Sequence, residues 1–326
     1  MKFSLRLNND LPVSDYVALA QAAERVGFDQ FWVSNDLFLR SVPVILTAVA
    51  QATTRIEIGT CVVNPYTIHP AEIAMIAATL DEISGSRFNL GIAAGGSELL
   101  KWVNIAQGRP LVATRRAIAQ INAILSGDTA EGWTPEAYLR FTPRRRVPIY
   151  LGAMGPKMLR MAGEVADGVL PLLFPPEHFA TVRPLVEAGA AAAGRSIHSI
   201  DLAACLWVSI SGDHQAAEAA LRDKIAYYGA GLSPLILARL GVTKADFGPV
   251  EHAIMTERDP EKARALVTDN MLRIGVVGTA QDLITRLETL VAMGACHLSF
   301  GPPLGPNLLA AVEQLGRYVL PHFRER

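Results

Sequence analysis

Short apolar segments alternate with amphipathic segments along most of the chain. The predicted strands cover residues 3–7, 31–33, 56–63, 88–93, 147–151, 168–173, 202–210 and 297–300. The predicted helices, in which apolar residues recur at helical spacing, cover residues 15–26, 44–52, 71–83, 111–125, 177–193 and 308–319, and one more begins at Pro156. This alternation predicts right-handed βαβ units and a parallel sheet. Eight such strands fit a closed barrel better than an open sheet, so we predict one α/β barrel domain over residues 1–326.

The segment 211–275 interrupts the alternation. It contains helical patterns at 216–228 and 261–274, and segments rich in glycine and proline join them at 229–234 and 241–249. We interpret 211–275 as a helical insertion before the last helix–strand unit that packs over the rim of the barrel. Three roles stay open for it: closing on a substrate, forming an interface, or adding stability.

Composition narrows the classes of function. The formal net charge is −1, which gives no electrostatic case for binding nucleic acid or a membrane surface. The sequence contains no run of about 18 apolar residues, so no transmembrane helix is expected. The three cysteines, Cys61, Cys205 and Cys296, are far apart and form no CxxC pair, which favours a reducing, cytoplasmic compartment. The histidines show no metal-ligand spacing, so no protein-bound metal is expected.

The segment 147–157 combines a short apolar strand, a glycine-containing turn and the start of a helix. The turn runs from Gly152 to Gly155, and Pro156 stands at the first helical position, where its missing N–H has no partner to lose. The free N–H groups and the positive end of the helix dipole favour an anion there, and Lys157 adds a positive charge. We interpret the turn as a phosphate site for a cofactor. A plain strand-to-helix turn with glycines for close packing is the alternative.

Other polar residues lie near the carboxyl ends of the strands, where barrels of this kind carry their chemistry. Asp36 follows the second strand and is a candidate catalytic residue, although it could also cap the next helix or pair with an arginine. Arg6 on the first strand points into the barrel mouth or forms a structural ion pair. His69 lines the pocket or is satisfied by the backbone. The arginine run 144–146 is expected to be a solvated loop.

Three stretches together resemble one known family. They are residues 60–70, with the sequence Asn-Pro-Tyr-Thr-Ile-His-Pro at their end, residues 151–157 with 163–168 behind them, and residues 301–306. The chain resembles the bacterial luciferase-like superfamily, and within it the branch of coenzyme F420-dependent oxidoreductases typified by methylenetetrahydromethanopterin reductase. The resemblance implies a TIM-like (β/α)8 barrel that binds coenzyme F420, or alternatively FMN, at the C-terminal rim.

The resemblance also implies a set of site residues. A non-prolyl cis peptide bond would fall at Cys61-Val62 and back the cofactor ring. With the phosphate turn, the predicted cofactor contacts are Ser34, Asn35, Asp36, Cys61, Val62, Asn64, Gly95, Gly96, Ser97, Gly152, Ala153, Met154, Gly155, Pro156 and Lys157. Asp36 and Arg6 are the candidate catalytic residues.

Two positions depart from the family pattern. Arg6 stands where the related reductases carry a glutamate on strand 1, and Gly96 stands where relatives often carry an acidic residue, with Glu98 close but displaced. The resemblance therefore covers the scaffold and the cofactor site but does not assign the pterin substrate of the reductases. An arginine at position 6 would favour a substrate with an anionic group.

Three functions follow as hypotheses. The first is an oxidoreductase that transfers a hydride between F420 and an organic small-molecule substrate. This chemistry needs no protein nucleophile, in agreement with a sequence that has no nucleophile elbow, P-loop or dinucleotide fingerprint. The second is an FMN-dependent monooxygenase, and the third is a non-catalytic cofactor-binding barrel.

The resemblance also implies a homodimer or a higher homo-oligomer, formed through helices near strands 2 and 3. Four small residues in these helices suit close helix contact between subunits or packing within one subunit: Ala48, Ala74, Ala77 and Ala78.

Overall fold

The computed structural model describes residues 1–324, so the last two residues of the predicted domain lie outside the described range. Within this range the chain forms nine strands: β1 (Lys2–Leu7), β2 (Gln30–Val33), β3 (Glu57–Thr60), β4 (Phe88–Ile92), β5 (Ile149–Gly152), β6 (Gly168–Leu170), β7 (Asp201–Ile210), β8 (Val276–Gly278) and β9 (His297–Leu304). The α-helices of the same range are α1 (Val13–Val26), α2 (Val42–Ala52), α3 (Pro70–Ile83), α4 (Ser97–Trp102), α5 (Pro110–Leu125), α6 (Pro156–Val165), α7 (Phe179–Ala192), α8 (His214–Tyr228), α9 (Pro234–Leu240), α10 (Lys244–His252), α11 (Pro260–Leu266), α12 (Asp269–Leu272), α13 (Ala280–Ala292), α14 (Leu308–Gln314) and α15 (Leu320–Arg324).

The strands pair in the order β6-β5-β4-β3-β2-β1-β9-β7-β8, and β6 also pairs with β7. The second pairing closes a ring of eight strands within the described residues, and β8 is an extra strand beside the end of β7. Neighbouring strands run parallel and helices follow them, which is the arrangement of a TIM barrel. The predicted fold class is confirmed.

The chain divides into two compact units. The first unit contains Ser4–Pro171 and Thr181–Ala203. The second contains Met1–Phe3, Leu172–Ala180 and the chain from Ala204 onward. Every residue predicted to bind the cofactor belongs to the first unit, and α8 to α12, which form most of the predicted insertion, belong to the second.

A polar network lies at the amino-terminal ends of the first unit's strands. Gln30 Nε2 donates to Glu57 Oε2 (2.7 Å), and Asn89 Nδ2 donates to the same oxygen (2.9 Å). The Tyr150 hydroxyl donates to Asp201 Oδ2 (2.8 Å). Burial, followed by the nearby Asp201 carboxylate, raises the pKa of Tyr150 above its ordinary value, so the hydroxyl keeps the proton that it donates. This end of the barrel is therefore stabilised by partly buried hydrogen bonds between strands.

The ladder of β3 ends earlier than predicted. The Cys61 N–H donates to the carbonyl oxygen of Val33 (2.7 Å), but the Val63 N–H donates to that of Gly91 (2.9 Å). In a regular strand these two N–H groups would point to the same neighbouring strand, since side chains and peptide groups repeat every two residues. The chain thus changes partner from β2 to β4 at this point, and Val63 makes only an isolated bridge with Ile92.

The expectation of a solvated arginine loop is wrong for Arg145. Its Nε donates to Asp81 Oδ1 (3.0 Å), and its guanidinium also donates to the carbonyl oxygen of Phe88 (2.8 Å). Asp81 is only 1% exposed, and a buried carboxylate requires such a partner. Arg146 pairs with Asp167 (2.8 Å) in a more exposed position.

The segment 211–275, predicted to be a helical insertion, belongs to the second unit and contains more helices than the sequence pattern indicated. The segment predicted as a single helix over 261–274 splits into α11 and α12, because the Thr268 side chain accepts from the Met271 N–H and starts a new helix. The segment 241–249, predicted to be a connection, contains the start of α10. There the Thr243 N–H donates to the carboxylate of Asp246 (2.6 Å) in a capping box.

Across residues 1–324, no helix is long and apolar enough to cross a membrane.

Candidate cofactor site at the strand ends

The turn between β5 and α6 leaves the first amide groups of a ten-residue helix without a side-chain cap. β5 ends at Gly152, Gly155 is the N-cap residue, and α6 begins at Pro156. A Cβ atom placed on Gly155 would meet nothing within 4 Å. The first turn of α6 therefore lies beside open space, and its N–H groups and dipole favour an anion there.

The residues around this turn differ in accessibility. Ala153 is buried, whereas Met154, Gly155, Pro156 and Lys157 are all exposed. The structure thus places Lys157 in the first turn of α6, where its ammonium group adds to the positive end of the helix.

Val62 lies where three loops meet. The Cys61-Val62 peptide bond is cis, as the resemblance predicted. A Cβ atom on Gly152 would lie 3.2 Å from Val62 Cγ1 and 3.0 Å from the Ala93 Cβ, and one on Gly91 would lie 3.3 Å from the same Val62 methyl group. Glycine at positions 91 and 152 thus permits the loops after β3, β4 and β5 to approach one another closely.

Asn64 shapes the loop after β3. Its Oδ1 accepts hydrogen bonds from the N–H groups of Tyr66 (3.1 Å) and Thr67 (3.0 Å), which is an Asx turn. Gly95, in the loop after β4, lies against the Asn64 side chain. Its φ is 76°, and a Cβ atom added to it would lie 3.0 Å from Asn64 Cγ. Both the left-handed backbone and the close approach require glycine at position 95.

The predicted contacts Gly95, Gly96 and Ser97 lead into α4, which the sequence pattern did not predict. Gln107 Nε2 donates to the carbonyl oxygens of Ala94 (2.8 Å) and Gly95 (3.0 Å) and so holds this turn. Gly96 and Ser97 are exposed.

Asn9 holds the loop that carries Asp36. Its Nδ2 donates to the carbonyl oxygens of Asp36 (3.0 Å) and Arg40 (2.8 Å), and its Oδ1 accepts from the Asp36 N–H (3.2 Å) and the Ser34 hydroxyl (3.3 Å). Asn9 is fully buried. Sequence reasoning missed it, although the polar pair Asn8-Asn9 after an apolar strand is the same kind of signal that selected Asp36.

Asn9→Ala is expected to loosen the loop 34–40 while the fold persists. The Asp36 amide hydrogen should exchange at least about tenfold faster, because a buried hydrogen bond contributes about 1 kcal/mol and several are lost together. Hydrogen exchange measured by NMR checks this. The matched control is Asn8→Ala. Asn8 accepts the hydrogen bond of the Tyr16 hydroxyl through its backbone carbonyl, which the substitution leaves in place. Equal exchange at Asp36 in both variants would contradict the role given to Asn9.

Asp36 itself is exposed after β2, and the Ser34 hydroxyl lies 3.4 Å from its Oδ2. The N-cap residue of α2 is Ser41, so Asp36 does not cap the next helix. Asn35 is half-buried beside it. The structure therefore brings Ser34, Asn35 and Asp36 into one held loop, and their contact with a cofactor stays a prediction.

Arg6 is only 6% exposed. It is in register with Trp32, which is in register with Gly59, so the three residues share one face of the sheet. The Trp32 ring covers Gly59, where a Cβ atom would lie 2.2 Å from the ring. Arg6 thus lies on the packed face of the sheet that also carries Trp32. Its catalytic role stays a prediction.

His69 has a structural role. Its Nδ1 accepts from the Ala71 N–H (3.2 Å) and caps α3, and its ring stacks on Trp133 with centroids 5.3 Å apart. The interpretation of a histidine satisfied by the backbone is the correct one.

No group of three or more histidine, cysteine, aspartate or glutamate residues is arranged to hold a metal ion in the described part of the chain.

A family model described as "Luciferase-like monooxygenase" matches residues 2–297. The chain belongs to this family. Among curated relatives, a 5,10-methylenetetrahydromethanopterin reductase of Archaeoglobus fulgidus is 32% identical, and the alignment covers 99% of this chain and all of the relative. An F420-dependent glucose-6-phosphate dehydrogenase of Beutenbergia cavernae is 30% identical, over 96% of this chain and 94% of the relative.

Two solved structures agree with the fold. The coenzyme F420-dependent tetrahydromethanopterin reductase from Methanopyrus kandleri superposes with a TM-score of 0.89 at 29% identity, covering 99% of each chain. An F420-dependent secondary alcohol dehydrogenase, solved with an F420–acetone adduct, superposes with a TM-score of 0.77 over 98% of each chain. At 21% identity the second likeness shows the fold alone. The family resemblance inferred from the sequence is confirmed.

Proposed function

We propose that this chain is an F420-dependent oxidoreductase that acts on an organic small molecule at the C-terminal rim of its barrel. The observation that carries the proposal is the uncapped N-terminus of α6 behind the Gly152–Gly155 turn, next to the loops that meet at Val62. The names of the aligned relatives, an F420-dependent dehydrogenase among them, support the cofactor. When bound, F420 supplies the hydride chemistry, and the protein supplies position and electrostatics.

The residues present fit such a cofactor. An anionic phosphate needs unpartnered N–H donors with space in front of them, and the open position at Gly155 provides that space. Close backbone approach to the ribityl chain of the cofactor needs small residues, which Gly95 and Gly96 provide after β4. In this proposal Gly155 and Lys157 hold the phosphate, and Asp36 holds or exchanges a proton at the polar edge of the ring.

We do not assign the pterin substrate of the reductases to this chain. The resemblance leads one to expect a glutamate on β1, and Arg6 stands there instead. Proton transfer through a strand 1 carboxylate is therefore absent from the proposal. The expectation of an anionic substrate depended on Arg6 at the barrel mouth. Because Arg6 is only 6% exposed, we propose an organic small molecule and require no anionic group of it.

A fluorescence titration of the purified protein with F420 and, separately, with FMN tests the proposal. We expect saturable F420 binding that is at least about 100-fold tighter than FMN binding, a difference of about 2.7 kcal/mol. Tight FMN binding without F420 binding would move the protein to the flavin monooxygenases. Failure of both to bind would contradict the phosphate site and favour a non-catalytic barrel.

We also infer that the protein forms a homodimer or a higher homo-oligomer through α2 and α3. Of the small residues considered for this contact, Ala74, Ala77 and Ala78 are buried and serve packing within the subunit. The exposed positions Val44 and Met75 carry the proposal instead, because they lie on neighbouring helices and α2 has no charged residue.

Met75→Glu is expected to convert the oligomer to monomers, because it places an unpaired charge in an apolar contact. Sedimentation velocity checks the change in mass. Val112→Glu on α5 is the matched control, an equally apolar exposed position that should leave the mass unchanged. A wild-type protein that sediments as a monomer would refute this inference without touching the cofactor proposal.

We place the protein in the cytoplasm on the three dispersed cysteines, which suit a reducing compartment. The near-neutral net charge gives no basis for nucleic acid binding.

A further inference from the structure

Two aromatic side chains project from the loops that carry predicted cofactor contacts. Phe38 lies in the loop after β2 and is 72% exposed, and Trp102 ends α4 and is 67% exposed. Their ring centroids lie 6.3 Å apart, with an angle of 33° between the planes. Large aromatic residues usually bury most of their surface, so two exposed rings side by side mark a binding surface.

The backbone that presents these rings is held in place. Phe38 has a φ of 66°, a left-handed conformation that is rare for a bulky residue. Asn9 holds the loop on both sides of it, through its hydrogen bonds to Asp36 and Arg40. The turn that leads into α4 is held by Gln107. The exposed rings therefore extend from a structured backbone.

We propose that the rings of Phe38 and Trp102 form a platform for a planar aromatic ring of the substrate. The inference rests on the proposed function, since Phe38 lies two residues after Asp36 and Trp102 five residues after Ser97. Both chain segments thus lead from predicted cofactor contacts to the platform. A flat ring gains stacking and apolar burial against exposed aromatic rings, and a puckered ring loses most of the stacking.

The size and surroundings of the platform favour a small molecule over a protein. A stable protein interface takes about 800 Å² from each partner, whereas an aromatic side chain buries about 150–250 Å². On the exposed side of α4, Lys101 and Glu98 pair with each other (2.6 Å), and the centre of a protein interface is depleted in such charges.

The test uses F420-loaded protein labelled with ¹⁵N at its four tryptophans. The probes are 2-naphthoate and decahydro-2-naphthoate, which share charge and carbon skeleton and differ in planarity. We expect 2-naphthoate to shift the Trp102 indole N–H resonance saturably, with the resonance assigned by its loss in Trp102→Phe. The dissociation constant should be about tenfold higher for the saturated probe with the wild-type protein, and about tenfold higher for 2-naphthoate with Phe38→Ala. Tyr227→Ala, which removes another aromatic residue of 68% exposure, should leave it unchanged.

Several outcomes would overturn the platform. Equal affinity for the two probes would remove the argument from planarity, and a shift confined to other tryptophans would place the ligand elsewhere. A Phe38→Ala variant that loses an oligomer seen in the wild type would make the rings a contact between copies. These failures are separate from failure of the proposed function, which the F420 titration of the same samples reads independently.

Discussion

Gly155→Asp is expected to stabilise the protein slightly and to weaken F420 binding by about 100- to 1,000-fold. Gly155 is the N-cap of α6, its φ of −94° suits any residue, and a side chain there would enter open space. An aspartate would cap the helix and interact favourably with its dipole, a gain of a few tenths of a kcal/mol to about 1 kcal/mol. The same carboxylate would take up the amide donors and repel a phosphate, at a cost of about 4 kcal/mol for charges about 4 Å apart near a surface.

Gly155→Asn is the matched control. It has the same shape and also caps the helix, but it carries no charge, so binding should weaken only about tenfold. Thermal unfolding and F420 titration of the three proteins provide both measurements. If the two substitutions weakened binding equally, the electrostatic part of the phosphate site would be wrong. If neither had an effect, the anion would not bind at α6.

Arg145→Ala is expected to lower the free energy of unfolding by about 3 kcal/mol. The guanidinium is the ionic partner of Asp81, which is 1% exposed, and its removal leaves a buried carboxylate without a counter-charge. Because Arg145 is about one-third exposed, water can replace part of the interaction, so we expect the lower end of the range for broken buried pairs.

The neighbouring pair provides the control for this prediction. Arg146→Ala removes a more exposed ion pair with Asp167 and should cost at most about 1 kcal/mol. Urea denaturation at neutral pH measures both variants. Adding Asp81→Asn to Arg145→Ala should recover much of the loss, since the buried charge is then gone. Similar losses in the two single variants would show that the Asp81 pair has no special importance.

Most of the fold could be predicted from local sequence patterns. The strand and helix periods are properties of neighbouring residues, so the alternation indicated the parallel barrel and the pattern 147–157 indicated the turn before α6. Short elements were missed, among them α4, α10 and β8. The start of α10 depends on the single cap Thr243, just as the start of α12 depends on Thr268, and the six-residue helix α4 has no periodicity to detect.

The candidate site shows the same division. Short sequence motifs and the family resemblance were enough to predict two features, because each lies within a few contiguous residues. These features are the glycine turns at positions 95, 152 and 155 and the cis bond at Cys61-Val62. The role of Asn9 was not predicted, since its side chain serves a loop that lies about 27 residues further along the chain. The local pattern marks Asn9 as a polar residue at a strand end, but it does not show which distant loop the side chain bonds.

The sequence by itself determined the barrel, its family and the position of the helix start that favours an anion, because each depends on residues close together in the chain. Only the tertiary structure decided that Arg145 neutralises a buried carboxylate, that Arg6 lies in the packed interior, and that Phe38 and Trp102 share one surface. These are contacts between distant segments. They depend on how parallel strands align their ends, and that alignment forms only when the barrel closes.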